Sequence, residues 1–378
     1  MNDEILSPDE VRASLRSYFT DHPGLDETRR LRDGDPDIDE PGFDPKRWQG
    51  LASELGLATM GAPSEVDGLG LGLEHVLAAV EECGATLYPG PARAAALFSW
   101  ALGLVDDPSE QLLTWAGRIM GADTIPGVAQ DHETDHTDLA LSSDGRLSGR
   151  ARNVTHPAVA DVLVAVARTS RGPCLVAAGL TSEETEGGTV TRMPVPSVDI
   201  SGRVGDIELR DVPAVALGEP GVADALRRFG DVGRLLIAAE QVGGAEGCLR
   251  ATVEYAKIRT QFGQVIGGYQ AIQHRCASTA VGIASARSLL VAAARAIDRG
   301  EADHSLSLLA KAEASEVFRS AADGLIQVSG GIGFTWEHDA HLFFRRARAT
   351  AVLGGTPEEL RDRAVSEGCL DLLLPVSA

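Results

Sequence analysis

Residues 239–275 read AEQVGGAEGCLRATVEYAKIRTQFGQVIGGYQAIQHR. Val242, Ala245, Leu249, Val253 and Ala256 recur at three- and four-residue spacing, so they line one face of a long helix that ends near Lys257 and Arg259. Gly263, Gly267 and Gly268 break the pattern, and it resumes at Ile272. The stretch therefore predicts two helices joined by a tight polar loop. Arg259, Gln261 and Gln270 surround that loop, and a planar guanidinium beside amides and glycines suits an anion such as phosphate. A cation at a helix C-terminus also has a plain structural role, because it complements the helix dipole.

Working outward, the segment from Ser7 to about Ala122 has helical periodicity. Ser7-Pro8-Asp9-Glu10 supplies a cap, a first-turn proline and acids that favour the dipole. Thr28 to Phe43, rich in Asp, Pro and Gly, reads as a loop or short irregular connection. Trp48, Leu51, Leu55 and Leu57 mark a helix, and the Gly-punctuated words from Leu57 to Leu73 precede another through Val76, Val80 and Cys83. Pro89 and Pro91 then end that helix. Between Thr124 and about Leu217 the pattern becomes strand-like, with runs at Leu139–Ser142, Val162–Val166, Leu175–Ala178 and Asp206–Leu209, and a hairpin turn at Ser143-Asp144-Gly145. Helices return from Val222, including Ala284 to Ile297 and Ser305 to Ile326. The order helix, strand, helix without alternating units argues against a doubly wound nucleotide fold.

A chain of 378 residues can bury a large core. Its 34 Lys plus Arg against 55 Asp plus Glu give a formal charge of −21, which disfavours a nucleic-acid or anionic-membrane surface. Cys83, Cys174, Cys248, Cys276 and Cys369 are scattered and odd in number, which points to small buried residues rather than a disulfide framework or metal site. The opening MNDEILSPDE is acidic, and no apolar run reaches the roughly 18 residues that span a bilayer. The expectation is a soluble, cytoplasmic chain with no membrane partner. His156, His274 and His338 have no second His or Cys at metal spacing and read as packed or surface residues.

The words YAKIRTQFGQVIGGYQAIQH, with QVSGGIGFTWEHDAHLFFRR at Gln327 to Arg346, resemble the C-terminal domain of the acyl-CoA dehydrogenase family. Weaker resemblance covers nearly the whole chain. It implies an α+β multidomain fold: an N-terminal helical domain (1–122), a central β-domain (123–218) and a C-terminal four-helix bundle (219–378). The implied reaction removes a proton from the α-carbon of an acyl thioester while the β-hydrogen leaves as hydride to flavin. A carboxylate acts as base and FAD carries the hydride.

The family's base falls on Gly354 in Leu353-Gly354-Gly355-Thr356, and its alternative location falls on Gly233 in Asp231-Val232-Gly233-Arg234. No catalytic residue is assigned. Asp231, Glu240, Glu358 and Glu359 are the nearby acids that a displaced base would draw on; their plain reading is solvated acids or helix caps. The residues that in the family reach a neighbouring subunit's FAD are present as Arg259, Gln261, Phe262, Gln270, Gln327, Gly330 and Gly331. Those that hold the flavin ring within one subunit are altered: Ile125 to Asp131 (IPGVAQD) contains Pro126, Asn153-Val154-Thr155-His156 lacks the aromatic wall, and Thr356-Pro357-Glu358 has an acid in place of an amide.

The resemblance thus implies the base-less subunit of a heteromeric acyl-CoA dehydrogenase. Its partners would be a second dehydrogenase-like chain carrying the Glu, a bulky or steroid-derived acyl-CoA substrate, and electron-transfer flavoprotein. Two rivals stay open: a homo-oligomeric flavoenzyme with a displaced base, and a non-catalytic assembly subunit.

Overall fold

The computed structural model describes residues 6–129, 137–219, 221–301 and 304–369. Seven helices come first: α1 (Pro8–Asp21), α2 (Gly24–Arg32), α3 (Pro36–Asp39), α4 (Pro45–Gln49), α5 (Leu73–Ala85), α6 (Ala92–Ala101) and α7 (Glu110–Met120). Ser7 caps α1 in a reciprocal box with Glu10, as its sequence predicts. Thr28 to Phe43 departs from the loop expectation, because α2 runs through Arg32 and α3 follows. Asp35 and Asp44 each precede a proline and accept the first free amides of α3 and α4, so these Asp-Pro pairs start helices rather than prevent them. After α4 the chain adds one wide turn at Gly50–Glu54, which buries Leu51 and Ala52.

Seven strands follow: β1 (Pro126–Val128), β2 (Ala140–Leu141), β3 (Arg146–Thr155), β4 (Val162–Thr169), β5 (Gly172–Gly179), β6 (Thr189–Pro194) and β7 (Val204–Ala216). Strands β2 and β3 pair antiparallel around Ser143-Asp144-Gly145, with Gly145 at φ 78°. Pairing runs β4-β2-β3-β7-β5 and returns from β5 to β4, so the sheet closes into a barrel. The apolar run in β4 is continuous because both faces are covered. Leu163, Ala165 and Ala167 point into the barrel core with Val176, Ile207 and Leu209, whereas Val162, Val164 and Val166 join the helical core.

The remaining chain is α8 (Ala223–Ile258), a hairpin of β8 (Thr260–Gln261) and β9 (Gln264–Val265), then α9 (Gln270–Asp298), α10 (Ser305–Ser329), α11 (Ala340–Thr350) and α12 (Pro357–Ser366). Helices α8, α9 and α10 pack on one another, with α11 and α12 against α10, to form the C-terminal bundle. The 36-residue α8 is the central strut, and nearly every side chain from Phe229 to Cys248 is buried. Glycines set its distance from α5. A Cβ on Gly243 would lie 1.8 Å from the Glu81 carbonyl oxygen, and one on Gly84 would lie 2.1 Å from that of Glu240. One apolar cluster runs from α1 through α5 and α6 into α8, α9, α10 and α11, so the N-terminal helices and the bundle share a core.

Helix α9 amends one sequence expectation. It is long and apolar enough to cross a membrane by composition, yet it packs in the bundle, and less than half of its apolar stretch is buried.

Candidate functional site

Two places gather the residues singled out by sequence, and they differ in kind. The first is an exposed surface at the C-terminal end of α8. Arg259 follows the last helical residue, and the β8–β9 hairpin turns through Phe262 (φ 51°) and Gly263 (φ 85°). Phe262 is 93 % exposed in a left-handed conformation that bulky residues seldom adopt. Tyr269 Oη donates to the Gln261 carbonyl (3.0 Å), and Tyr255 Oη donates to the Ser329 carbonyl (3.3 Å). Ala256 and Ile266 pack on Val328. These contacts bring the hairpin to the end of α10, where Gln327, Gly330 and Gly331 lie, although the two motifs are far apart in sequence.

Arg259, Gln261, Phe262, Gln270, Gln327, Gly330 and Gly331 are all exposed. Among the described residues the side chains of Arg259, Gln270 and Gln327 have no hydrogen-bond or ion-pair partner, while Gln261 donates only to the neighbouring Thr260 carbonyl. Gly330 needs its glycine for φ 66°, ψ −143°. Gly331 does not: a Cβ there would meet nothing within 4 Å.

The second place is buried among α6, α8, α11 and the β6–β7 connection. Arg93 Nε lies 2.5 Å from Glu240 Oε2, and Arg346 pairs with Glu240 Oε1. Arg346 also places Nε 2.5 Å from Asp199 Oδ2 and donates from Nη2 to Ser201 Oγ (2.8 Å), which in turn donates to Asp199 (2.6 Å). Burial alone would raise the Glu240 pKa, but Arg93 and Arg346 outweigh it and hold the carboxylate below its ordinary value. Burial likewise opposes the Arg346 charge, and Asp199 and Glu240 overcome it.

The network lines a cavity of about 300 Å³, with Val80, Cys83, Val198, Val352 and Leu353 on its apolar wall and His156 beside the charged residues on its polar one. Burial first, against the Pro89 carbonyl 2.9 Å from Nε2, lowers the His156 pKa to about 4, so the ring is neutral.

Of the acids named from sequence, Asp231 and Glu240 are buried and paired, whereas Glu358 and Glu359 are an exposed acid and a helix cap, as their plain reading expects. Asp231 is buried and accepts from Arg234 (2.8 Å), Ser307 (2.5 Å) and His304, which together outweigh burial and lower its pKa. Glu240 is held by two arginines. Glu359 closes a capping box with Thr356 at the start of α12, and Glu358 remains exposed in that first turn. Gly354 sits at φ 69°, with a notional Cβ 3.3 Å from Arg234 Cγ and 3.4 Å from Ile237 Cδ1. Lys311, fully buried on α10, pins this turn: its Nζ donates to Ser315 Oγ (2.8 Å) and to the carbonyls of Ala351 (3.2 Å) and Gly355 (3.3 Å). Burial lowers its pKa to about 7.

At the family's flavin-ring position the polar groups that would face a ring are already engaged with each other, and Thr155 and Arg93 border both the cavity of about 300 Å³ and a smaller space behind it. The Val128 amide donates to Thr155 Oγ1 (3.1 Å), so the groups that would hold a ring satisfy each other. Gly127 is packed so that a Cβ would lie 2.8 Å from Ala160 and 2.9 Å from Val154. The space shared by Val128, Thr155, Gly233, Ile237 and Arg93 is about 20 Å³, room for one water molecule. Gln130 and Asp131 lie outside the described residues.

Sequence reasoning missed Arg93, Asp199 and Ser201 altogether and took Arg346 only as the end of a motif. The usable signal was a lone arginine in the otherwise apolar run ARAAALF. His156 is packed, as expected, with Phe43 against its ring edge. His338 accepts the Ala340 amide (3.1 Å), whereas His274 lies exposed on the surface groove between α9 and α10. Cys83, Cys174, Cys248 and Cys369 are buried and Cys276 is half-buried.

Helices, a closed barrel and a long-helix bundle in this order define the acyl-CoA dehydrogenase fold. Residues 220–367 match the family model described as the acyl-CoA dehydrogenase C-terminal domain. Acyl-CoA dehydrogenase IpdE2 of Mycobacterium tuberculosis is 32 % identical over 368 residues, covering 96 % of this chain and 98 % of that protein. Among solved structures, a variant of the Tcur3481–Tcur3483 steroid ACAD superposes with a TM-score of 0.83 at 26 % identity, covering 97 % of this chain and 99 % of that one. The ChsE4–ChsE5 complex from Mycobacterium tuberculosis does so with 0.83 at 25 % identity, covering 95 % and 96 %. The chain belongs to the acyl-CoA dehydrogenase family, flavoprotein oxidoreductases acting on CH–CH bonds.

Proposed function

We propose that this chain is the base-less subunit of a heteromeric acyl-CoA dehydrogenase, organised as residues 1–122, 123–218 and 219–378. The observation that carries the reading is the contrast between the two places just described. Both positions for a base hold glycine, and at the ring position the Val128 amide and the Thr155 hydroxyl bond to each other. The exposed surface at the end of α8, in contrast, presents side chains with no internal work.

In this reading Arg259, Gln261, Phe262, Gln270, Gln327, Gly330 and Gly331 hold the adenosine-diphosphate half of an FAD whose ring lies in a partner subunit. Arg259 supplies a planar fork for pyrophosphate oxygens, the glutamines supply amide donors and acceptors, and Gly331 lets the ligand approach the backbone. FAD, when bound, supplies the hydride acceptor, and the partner supplies the Glu that takes the α-proton. The acyl-CoA is bulky and steroid-derived, in keeping with the steroid dehydrogenase among the structural neighbours, and electron-transfer flavoprotein is the acceptor. Assembly uses α9, whose exposed apolar face is suited to a second chain. The site of action is the cytoplasm.

A displaced base within this chain has no support from the side chains: Asp231, Glu240 and Glu359 are engaged, and Glu358 faces solvent. The test is co-expression with the dehydrogenase-like chain of the same genome. Little flavin on this chain alone and about one FAD per two chains in the mixed complex is the expected result. Full occupancy of the lone chain would refute the shared site.

A further inference from the structure

We infer that the cavity between α6, α8, α11 and the β6–β7 connection is a binding site of this chain's own for an uncharged, hydroxyl-bearing hydrocarbon, held without flavin and without a thioester. The inference does not rest on the shared-site reading, since such a ligand needs neither FAD nor a partner. At about 300 Å³ the cavity lies at the lower end of the range for small-molecule sites. Its apolar side runs from Val80 and Cys83, buried on α5, to Val195, Val198 and Val352, which are 50 %, 53 % and 61 % exposed and form an apolar rim. A hydrocarbon body entering over that rim takes both its own surface and the wall's away from water.

The polar side sets the chemistry of the ligand. Its charges are already paired: Arg93 and Arg346 with Glu240, Arg346 also with Asp199, and Arg203 with Asp39. Among the described residues no lining cation is left for a carboxylate or phosphate, and an anion brought in would have to break one of these pairs. Two neutral polar groups, in contrast, have no partner. His156 is 7 % exposed, and its Nε2 carries the proton that the Pro89 carbonyl accepts; the ring is neutral, so the Nδ1 lone pair is left without a donor. Tyr88 is also buried, and its unpartnered Oη lies where a Cβ on Gly90 would stand. Tyr88, Gly90 and His156 all line the cavity. A buried polar atom left unbonded is costly, so such atoms are met by water or by a ligand. The Nδ1 lone pair calls for a donor, and the Tyr88 hydroxyl can donate or accept. An alcohol suits both, whereas a carboxylate has no proton for His156 and a bare hydrocarbon serves neither.

The probe is 2-naphthol, a neutral bicyclic alcohol whose fluorescence reports binding, titrated into the full chain. Saturable binding at one site with a Kd of about 0.1–1 mM is expected for a ligand of this size, and no saturation up to about 5 mM would overturn the inference. 2-Naphthoate has the same rings with an anionic head and is expected to bind at least about tenfold more weakly. Equal or tighter binding of the anion would overturn the assignment to an uncharged ligand. Two variants locate the site. Val352→Trp, at the exposed rim, is expected to obstruct entry and abolish binding. Tyr88→Phe removes a hydroxyl that bonds to nothing in the chain, and it is expected to weaken 2-naphthol about three- to tenfold at an unchanged melting temperature. Full affinity in Tyr88→Phe would strike that hydroxyl from the site, and full affinity in both variants would place the binding elsewhere and overturn the inference. The flavin count of the mixed complex tests the shared site alone, so the two readings fail separately.

Discussion

The hairpin at the end of α8 and the charge network in the middle of α8 lie on one helix and obey opposite rules. In the network every charged side chain pairs with another of opposite sign within the chain, and those residues explain themselves by the fold. At the hairpin, Arg259, Gln270 and Gln327 have no side-chain partner among the described residues, Gly331 has no steric need to be glycine, and Phe262 holds an uncommon backbone conformation in the open. The proposed shared site gives these residues a reason in another molecule. In the proposed reading one helix carries an outward site at its end and, at its middle, a paired charge network.

The comparison is broken most severely by attacking the network. Arg346→Met leaves the buried Asp199 without its cation and Glu240 with Arg93 alone, and loss of one member of a buried pair costs about 3–5 kcal/mol. Thermal or denaturant unfolding should show a lowered midpoint, whereas Arg259→Ala should leave the midpoint within about 0.5 kcal/mol of wild type. Gly243→Ala comes next. Its methyl group would meet the Glu81 carbonyl on α5, and forcing the helices apart should cost about 1–3 kcal/mol. That loss would show that the inner half of α8 depends on close packing.

Acid titration sharpens the contrast further. With His156 lowered to about 4 in the folded chain, the unfolded chain binds the proton first, at its ordinary value near 6.5. Its stabilisation is therefore complete above about pH 6.5 and is lost as pH falls toward 4, by up to ~3 kcal/mol. Glu240, held below its ordinary value, adds loss in the same direction on further acidification. Unfolding midpoints measured across this range should fall, and His156→Leu should flatten the upper part of the slope. The smallest effect belongs to the hairpin: Phe262→Asn relieves the left-handed strain and should stabilise the lone chain by about 0.5–1 kcal/mol. The same change should loosen FAD in the mixed complex, a combination expected of a residue kept for a ligand.

Much of the fold was legible because periodicity reports burial. The 3.6-residue stripe from Val242 to Ala256 gave the strut helix, and Ser143-Asp144-Gly145 gave the β2–β3 hairpin. Composition misled at Thr28 to Phe43, where Asp and Pro act as helix caps and starts. In α9, an exposed apolar face gave the helix the composition of a membrane span. The proposed outward site was legible because its residues form two compact words. The network was not, since Arg93, Asp199, Glu240 and Arg346 are isolated in sequence and meet only when α6, the β6–β7 connection, α8 and α11 converge. Sequence spacing carries no record of such a meeting, and a carboxylate between two arginines looks there like any surface acid.

The central claim is that the outward site serves a flavin whose ring lies in another subunit. Its most direct test is the flavin-to-protein ratio of the mixed complex with and without Arg259→Ala in this chain. The account predicts about one FAD per two chains in the wild-type complex and a clear loss of retained FAD in the variant, with assembly intact. Equal flavin in both complexes would contradict it.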